Sequence, residues 1–319
     1  MTAREKVLTL DRYPLAPDAR RVVEASLAVN RPPVWQGTAA EARAGLALLH
    51  KGRAAGPAVA RVEDFIIKGA DRPVPARLYA AVPRPIAIMV FCHGGGWVLG
   101  SVEDTDAHTR RIAVATDCAV LSVDYRLAPE NPYPAALRDV MAALHWAAAH
   151  ARDIAGAKVP LILAGDSSGG NLAAAAALYA CDHGGPKVAM QILGYPALAA
   201  RFDTSSYEQY ADGPILSRAD MKWFWTQYVT DAVQWNDPYV APLHAPSLAG
   251  LPATYILTAE CDPLRDDGEQ YAQKLAAAGV MVQCKRYAGM IHGFYRMADM
   301  LAAGREAHDD VAAFIRRHI

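Results

Sequence analysis

Cysteine is scarce and unpaired in this 319-residue chain: Cys92, Cys118, Cys181, Cys261 and Cys284 are five, an odd number, with no C-x-x-C spacing. That excludes a disulfide framework and a structural zinc site, and it fits a reducing compartment. A basic surplus is missing too. Lys+Arg number 32 against Asp+Glu 33, a net charge of −1, so no basic stripe exists for holding a phosphate backbone. No apolar run approaches the ~20 residues of a membrane span. The longest candidate, 171–181, is an alanine-rich segment of helix length. The opening MTAREKVLTLDRYPLAP breaks any signal-peptide core with charge and proline. Repeats and low-complexity tracts are absent, and Gly 23 and Pro 21 are ordinary for a globular chain. The expectation is a cytoplasmic protein that engages neither nucleic acid nor membrane.

What the chain does have is a large apolar fraction, 53%, enough for a core burying about three-quarters of the unfolded surface. Residues 1–55 read as helical and polar, with breaks at Pro14, Pro17 and Pro32–Pro33. From Val62 onward, short apolar or β-branched runs predict strands at 62–67, 76–80, 86–91, 119–123, 160–164, 188–193, 253–258 and 282–287. Helix-length stretches lie at 105–116, 135–150, 170–181, 264–278 and 304–318. Two strands followed by strand–helix alternation predict an α/β fold, a mostly parallel sheet of about eight strands flanked by helices. The segment 197–240 interrupts that alternation. It carries Phe202, Tyr207, Tyr210, Trp223, Phe224, Trp225, Tyr228 and Trp235 in a chain with only 8% aromatics, the composition of a lid over a site. The expected division is therefore an N-terminal helical cap segment 1–55, a catalytic core in two parts, 56–196 and 241–319, and a cap insertion 197–240.

The sharpest chemical signal is Gly165-Asp-Ser-Ser-Gly169, which follows an apolar strand and precedes an alanine-rich helix. G-x-S-x-G needs that setting, because a sharp strand-to-helix turn holds the middle residue, Ser167, strained and exposed as a nucleophile. The second signal is His93-Gly-Gly-Gly-Trp97, again after a strand. Consecutive glycines let backbone N–H groups approach a developing oxyanion, which the amide of Ser168 completes. No Lys-Ser/Thr follows and no G-x-G-x-x-G aligns, so a phosphate loop is disfavoured. A nucleophilic serine needs a base and an orienting acid. Of ten histidines, His292 alone follows the last predicted strand, in the segment 287–294, while Asp262 holds the equivalent place after the preceding strand. In open α/β sheets reactive groups gather at those strand ends. His93 is a weaker candidate base, better suited to fixing its loop. Glu260, Asp266 and Asp267 compete with Asp262, with Glu260 the second choice.

These motifs, with Asp124-Tyr-Arg-Leu-Ala-Pro-Glu130, Asp262-Pro-Leu-Arg-Asp-Asp-Gly268 and His292-Gly-Phe294, resemble the hormone-sensitive-lipase-like esterases, bacterial family IV of the α/β-hydrolase superfamily, over about residues 60–319. The resemblance implies an α/β-hydrolase fold with a helical cap, and Ser167, Asp262 and His292 as the catalytic triad. It implies an oxyanion hole drawn from Gly94, Gly95, Gly96 and Ser168, with Gly94 shaping the loop. The family more often has alanine where Ser168 stands; only the backbone N–H is required there. Trp97, Trp223, Phe224, Tyr195 and Ile291 are the candidate substrate-pocket residues. Neither metal nor organic cofactor is needed. The activity implied is hydrolysis of short- to medium-chain carboxylic esters through an acyl-enzyme, the partner being a small-molecule ester. Amide hydrolysis or deacetylation on the same triad is an alternative, and a non-catalytic small-molecule receptor a more distant one. The family often pairs through the edge of its sheet, which points to a homodimer.

Overall fold

In the computed structural model, which describes residues 9–50, 55–69 and 71–319, the apolar runs become eight strands. They are β1 (Arg61–Ile67), β2 (Val74–Ala80), β3 (Ile88–Cys92), β4 (Ala119–Val123), β5 (Leu161–Asp166), β6 (Val188–Gly194), β7 (Ala253–Cys261) and β8 (Val282–Ile291). Every residue of β3, β4 and β5 is buried, as expected of parallel strands covered on both faces. The helices are α1 (Pro17–Ala28), α2 (Ala39–His50), α3 (Asp106–Thr116), α4 (Ala135–Ala149), α5 (Ala151–Ala155), α6 (Ser168–Asp182), α7 (Ser205–Gln209), α8 (Arg218–Tyr228), α9 (Arg265–Ala277) and α10 (Ala302–His318). None is long and apolar enough to cross a membrane. Residues 1–8 and 51–54 of the expected N-terminal segment lie outside the described residues.

The sheet order is β1-β2-β4-β3-β5-β6-β7-β8, with β1 and β2 antiparallel to their neighbours and all other pairings parallel. Alternate residues along each strand divide the core in two. Val90, Leu121, Leu163 and Ile256 pack beneath α4, α6 and α9 on one face. Met89, Val120, Ile162 and Leu257 pack against α3, α10 and the N-terminal residues Leu10, Tyr13 and Val23 on the other. After β3 the chain turns to β4 on one side, then crosses back to β5 on the other. That reversal opens a crevice at the carboxyl ends of β3 and β5, where such folds bind ligands.

Several boundaries differ from those the sequence predicts. Pro17 starts α1 rather than breaking a helix, because a missing N–H costs nothing in the first turn. The helix after the nucleophile turn begins at Ser168 rather than 170. Strands β7 and β8 run to Cys261 and Ile291 instead of ending at 258 and 287. The extension passes through an irregular register between Ala259 and Cys261, where the Glu260 side chain accepts the Gly289 N–H at 2.7 Å. A side-chain acceptor replaces a ladder carbonyl there, which hydropathy patterning does not register. Glu260 is thereby occupied and does not face His292.

Candidate active site

Strand β5 ends at Asp166 and α6 begins at Ser168, leaving Ser167 alone on the turn with φ 56° and ψ −121°. A non-glycine residue held there stores on the order of 1–3 kcal/mol of strain. Its surroundings enforce it: the Ser167 N–H donates to Gly194 O at 2.8 Å, and Ser167 O accepts from Asn171 N at 3.1 Å. At the far side of the site, Cys261 and Ile291 are register partners at the ends of β7 and β8. The next residue on each strand is Asp262 and His292, so the ladder itself brings acid and imidazole together.

The geometry is a continuous hydrogen-bonded line. His292 Nδ1 lies 2.7 Å from Asp262 Oδ2, and His292 Nε2 lies 3.0 Å from Ser167 Oγ. Asp262 is fully buried, while the His292 side chain keeps 13% exposure and Ser167 keeps 8%, so the carboxylate end of the line is sealed from solvent. The Leu264 N–H donates to Asp262 Oδ1 at 2.9 Å, which fixes the carboxylate and, through it, the tautomer with the proton on Nδ1. The competing acids are engaged elsewhere. Asp266 accepts the Ser206 N–H at 2.8 Å. Asp267 accepts those of Leu198 and Ala199 at 3.0 and 3.2 Å.

The glycine loop lies across the crevice. No acceptor among the described residues takes the amides of Gly95, Gly96 or Ser168, and Ser168 also presents the N-terminal end of α6, where partial positive charge collects. The Gly94 N–H, unlike those of Gly95 and Gly96, is taken, by Asp166 Oδ1 at 2.9 Å. Gly96 has φ +60°, and a Cβ there would stand 2.1 Å from the Phe224 ring, so only glycine lets α8 rest on the loop. Buried Ser168 Oγ faces the Tyr125 phenol. His93 is stacked on Tyr125 with ring centroids 4.3 Å apart, and Tyr125 donates to His93 O at 2.7 Å. Burial pushes the His93 imidazole below the usual histidine range, consistent with a neutral, loop-fixing ring.

The candidate pocket residues divide. Phe224 and Trp223 lie on α8 with rings edge-to-face at 5.1 Å, and Phe224 abuts Gly96. Trp97, Tyr195 and Ile291 have no exposed surface and act as the packing beneath the site. Trp97 stacks on Tyr228 at 4.4 Å and against Trp225 at 4.5 Å, fastening the glycine loop to α8. Tyr195 meets the His292 ring edge-on at 4.7 Å. Asn171 has a role that sequence reasoning misses: its Nδ2 donates to Ala197 O at 2.9 Å and Val240 O at 2.8 Å, pinning both ends of the 197–240 segment to α6. The only signal for it is its place in the motif after Gly170. Burial pushes the Cys261 thiol up to about 12, which leaves it un-ionised and without nucleophilic character.

Comparisons with known proteins agree with this architecture. A family model described as the alpha/beta hydrolase fold matches residues 89–296. Esterase LipI of Mycobacterium tuberculosis is 40% identical over 252 residues, 77% of this chain and 79% of that protein. An arylesterase of Saccharolobus solfataricus is 36% identical over 238 residues, 74% of this chain and 78% of that one. The crystal structure of a thermostable esterase from Pseudomonas putida superposes with a TM-score of 0.90 at 35% identity, covering 95% of this chain and 97% of that one.

Proposed function

This chain belongs to the hormone-sensitive-lipase-like branch of the alpha/beta hydrolase fold family and is a carboxylic ester hydrolase; from that premise we propose that it works by a serine acyl-enzyme mechanism on short- to medium-chain esters. The observation that carries the reading is the Ser167–His292–Asp262 line, with separations of 3.0 and 2.7 Å.

Ser167 Oγ attacks the ester carbonyl carbon while His292 Nε2 takes its proton. The electron pair of the C=O bond moves to the oxygen, and the amides of Gly95, Gly96 and Ser168 bind that oxyanion, each donor being worth roughly 3 kcal/mol. As the intermediate collapses, the C–O bond to the alcohol breaks, and the His292 imidazolium protonates the departing alkoxide. Water then attacks the acyl-serine in the same sequence, with His292 again as base, to release the acid. Asp262 stays ionised throughout and stabilises the imidazolium. In the same reading, 197–240 and the N-terminal segment form a cap that limits acyl length. Phe224 against Gly96 supports a modest pocket. An edge of the sheet, which ends in β1 on one side and β8 on the other, is the face through which two copies would pair.

The test is initial rates on p-nitrophenyl esters from acetyl to palmitoyl, with Ser167→Ala alongside. Turnover is expected to peak at short chains and to fall by on the order of 10⁴-fold or more in the folded variant. Turnover that survives in Ser167→Ala overturns the mechanism, and faster palmitoyl than butyryl hydrolysis overturns the chain-length reading.

A further inference from the structure

The buried carboxyl group next to Ser167 in sequence has no part in the steps above. Asp166 is the last residue of β5 and is 1% exposed. Among the described residues it forms no ion pair with any Lys, Arg or His. Burying a carboxylate without a counter-charge is costly unless its oxygens receive strong hydrogen bonds, so its partners show what it does. Oδ1 accepts the Gly94 N–H at 2.9 Å. Oδ2 lies 3.5 Å from the Tyr195 hydroxyl, whose ring meets His292 edge-on at 4.7 Å.

The register explains why a side chain is needed here. Strands β3 and β5 pair in parallel up to Cys92 and Gly165, and the pairing ends there. Two residues further on, Gly94 enters the glycine loop and Ser167 turns into α6, and the Gly94 N–H meets the Asp166 side chain instead of a ladder carbonyl. The Asp166 carboxylate supplies the missing acceptor and carries the β3–β5 contact past the last ladder pair. The fit is close: a Cβ on Gly94 would stand 2.6 Å from Asp166 Oδ2.

Resting on the oxyanion reading of the glycine loop, we propose that Asp166 is a positioning residue for ester hydrolysis: by holding the Gly94 amide it sets the plane of the loop and aims the Gly95 and Gly96 amides at the oxyanion. It touches neither substrate nor Ser167 Oγ in this role. Its effect falls on the transition state, because aimed donors favour the oxyanion over the ground-state carbonyl.

The experiment compares Asp166→Ala, Asp166→Asn and wild type on p-nitrophenyl butyrate, reading kcat and KM separately, with inhibition by butylboronic acid as the tetrahedral mimic. In Asp166→Ala, kcat is expected to fall roughly 10- to 100-fold with KM within about twofold, and boronate affinity to weaken by a similar factor. Asp166→Asn keeps an oxygen that accepts from Gly94 and is expected to recover most of kcat. The pH at half-maximal kcat is expected to stay in place in both variants, since the His292–Asp262 pair is untouched. Unchanged kcat in Asp166→Ala, or loss confined to KM, overturns the proposal. So does an Asp166→Asn variant no better than Ala. Should Asp166→Ala fail to fold, Gly94→Ala tests the same contact from the loop side, with the same fall in kcat at unchanged KM expected and an unaltered kcat as the refuting result. Hydrolysis by wild type that survives Ser167→Ala removes the mechanism beneath this inference. Serine-dependent hydrolysis with kcat intact in Asp166→Ala removes the inference alone.

Discussion

Asn171 reaches Val240 across 69 residues of sequence, its Nδ2 donating to the Val240 carbonyl at 2.8 Å while also holding Ala197 O. One buried amide on α6, the helix that begins just after Ser167, therefore ties down both ends of the 197–240 segment. Asn171→Ala leaves two carbonyls buried without donors, at about 1–3 kcal/mol each. A lower melting temperature and a lower denaturation midpoint are expected, with greater proteolytic cutting between 197 and 240. Calorimetry and limited proteolysis check this. An Asn171→Ala protein as stable and as resistant as wild type would show that other contacts hold the segment.

Phe224 rests on Gly96 from α8 and is 6% exposed. Phe224→Ala removes the ring that closes the glycine loop, at a cost of about 3–5 kcal/mol in stability. The space left lies beside Gly96 in the glycine loop. The expected outcome is a shift of the preferred p-nitrophenyl ester toward longer acyl chains, read as the ratio of kcat/KM for octanoyl over butyryl. A ratio that does not rise would mean that the acyl chain does not run along this side of the site.

Glu260 holds the Gly289 N–H while Gly289 O accepts the Ala16 N–H at 3.0 Å. The strand end that carries His292 is thus clamped from both sides, by a side chain of β7 and by the N-terminal chain. Glu260→Gln keeps an acceptor and is expected to retain activity within about threefold, whereas Glu260→Ala is expected to lose roughly tenfold or more in kcat/KM. Equal rates for the two variants would show the clamp to be dispensable.

Stability should depend on pH through groups remote from the triad. His308, on α10, is pulled down to about 4 by burial and nearby Arg111. His108, on α3, is held well below the usual range by burial, His308, Arg296 and Arg111. Both stay neutral in the fold while the unfolded chain protonates them below about 6.5. As pH falls from about 6.5 toward 4, the unfolded state binds the extra protons and stability drops, by about 1.4 kcal/mol per pH unit for each ring. Asp267 acts in the opposite sense. Burial raises its carboxyl to about 7, so the folded state keeps a proton that the unfolded chain loses above about 4, and this contribution is lost as pH rises from 4 to 7. Two protons outweigh one in the shared window, and net stability is expected to rise with pH between about 4.5 and 6.5. Asp267→Asn removes the opposing term and should steepen that rise in denaturant midpoints measured from pH 4.5 to 7.5. A slope unchanged by the substitution would show that Asp267 is ionised in the fold.

Much of this molecule is legible in its amino-acid sequence. Ser167, His292 and Asp262 can each be ranked first for the proposed roles because each follows a predicted strand, and parallel strands in one sheet put their carboxyl ends along one edge. The local signals are dense there: a G-x-S-x-G between strand and helix, three glycines after a strand, a carboxylate and a histidine after the last two strands. Less legible are the ends of β7 and β8. Glu260 and the glycine at 289 read as loop, and it is a side-chain hydrogen bond between the strands that carries the ladder on.

Sequence by itself determined the order of elements and the chemistry of the crevice, because hydrophobic period and backbone-permissive residues act locally. The tertiary structure decided which polar groups are free. Gly94 and Gly95 are indistinguishable as letters, yet the Gly94 amide is taken by Asp166 and that of Gly95 is not. Glu260, Asp266 and Asp267 carry the same carboxyl group as Asp262, yet each is engaged by a backbone amide from a distant segment, and Asp262 alone meets His292. Trp97 is as aromatic as Phe224, but it is sealed against Tyr228 while Phe224 lies on the loop. Hydrogen bonding saturates and burial excludes, and both depend on neighbours that the chain brings together only when it folds.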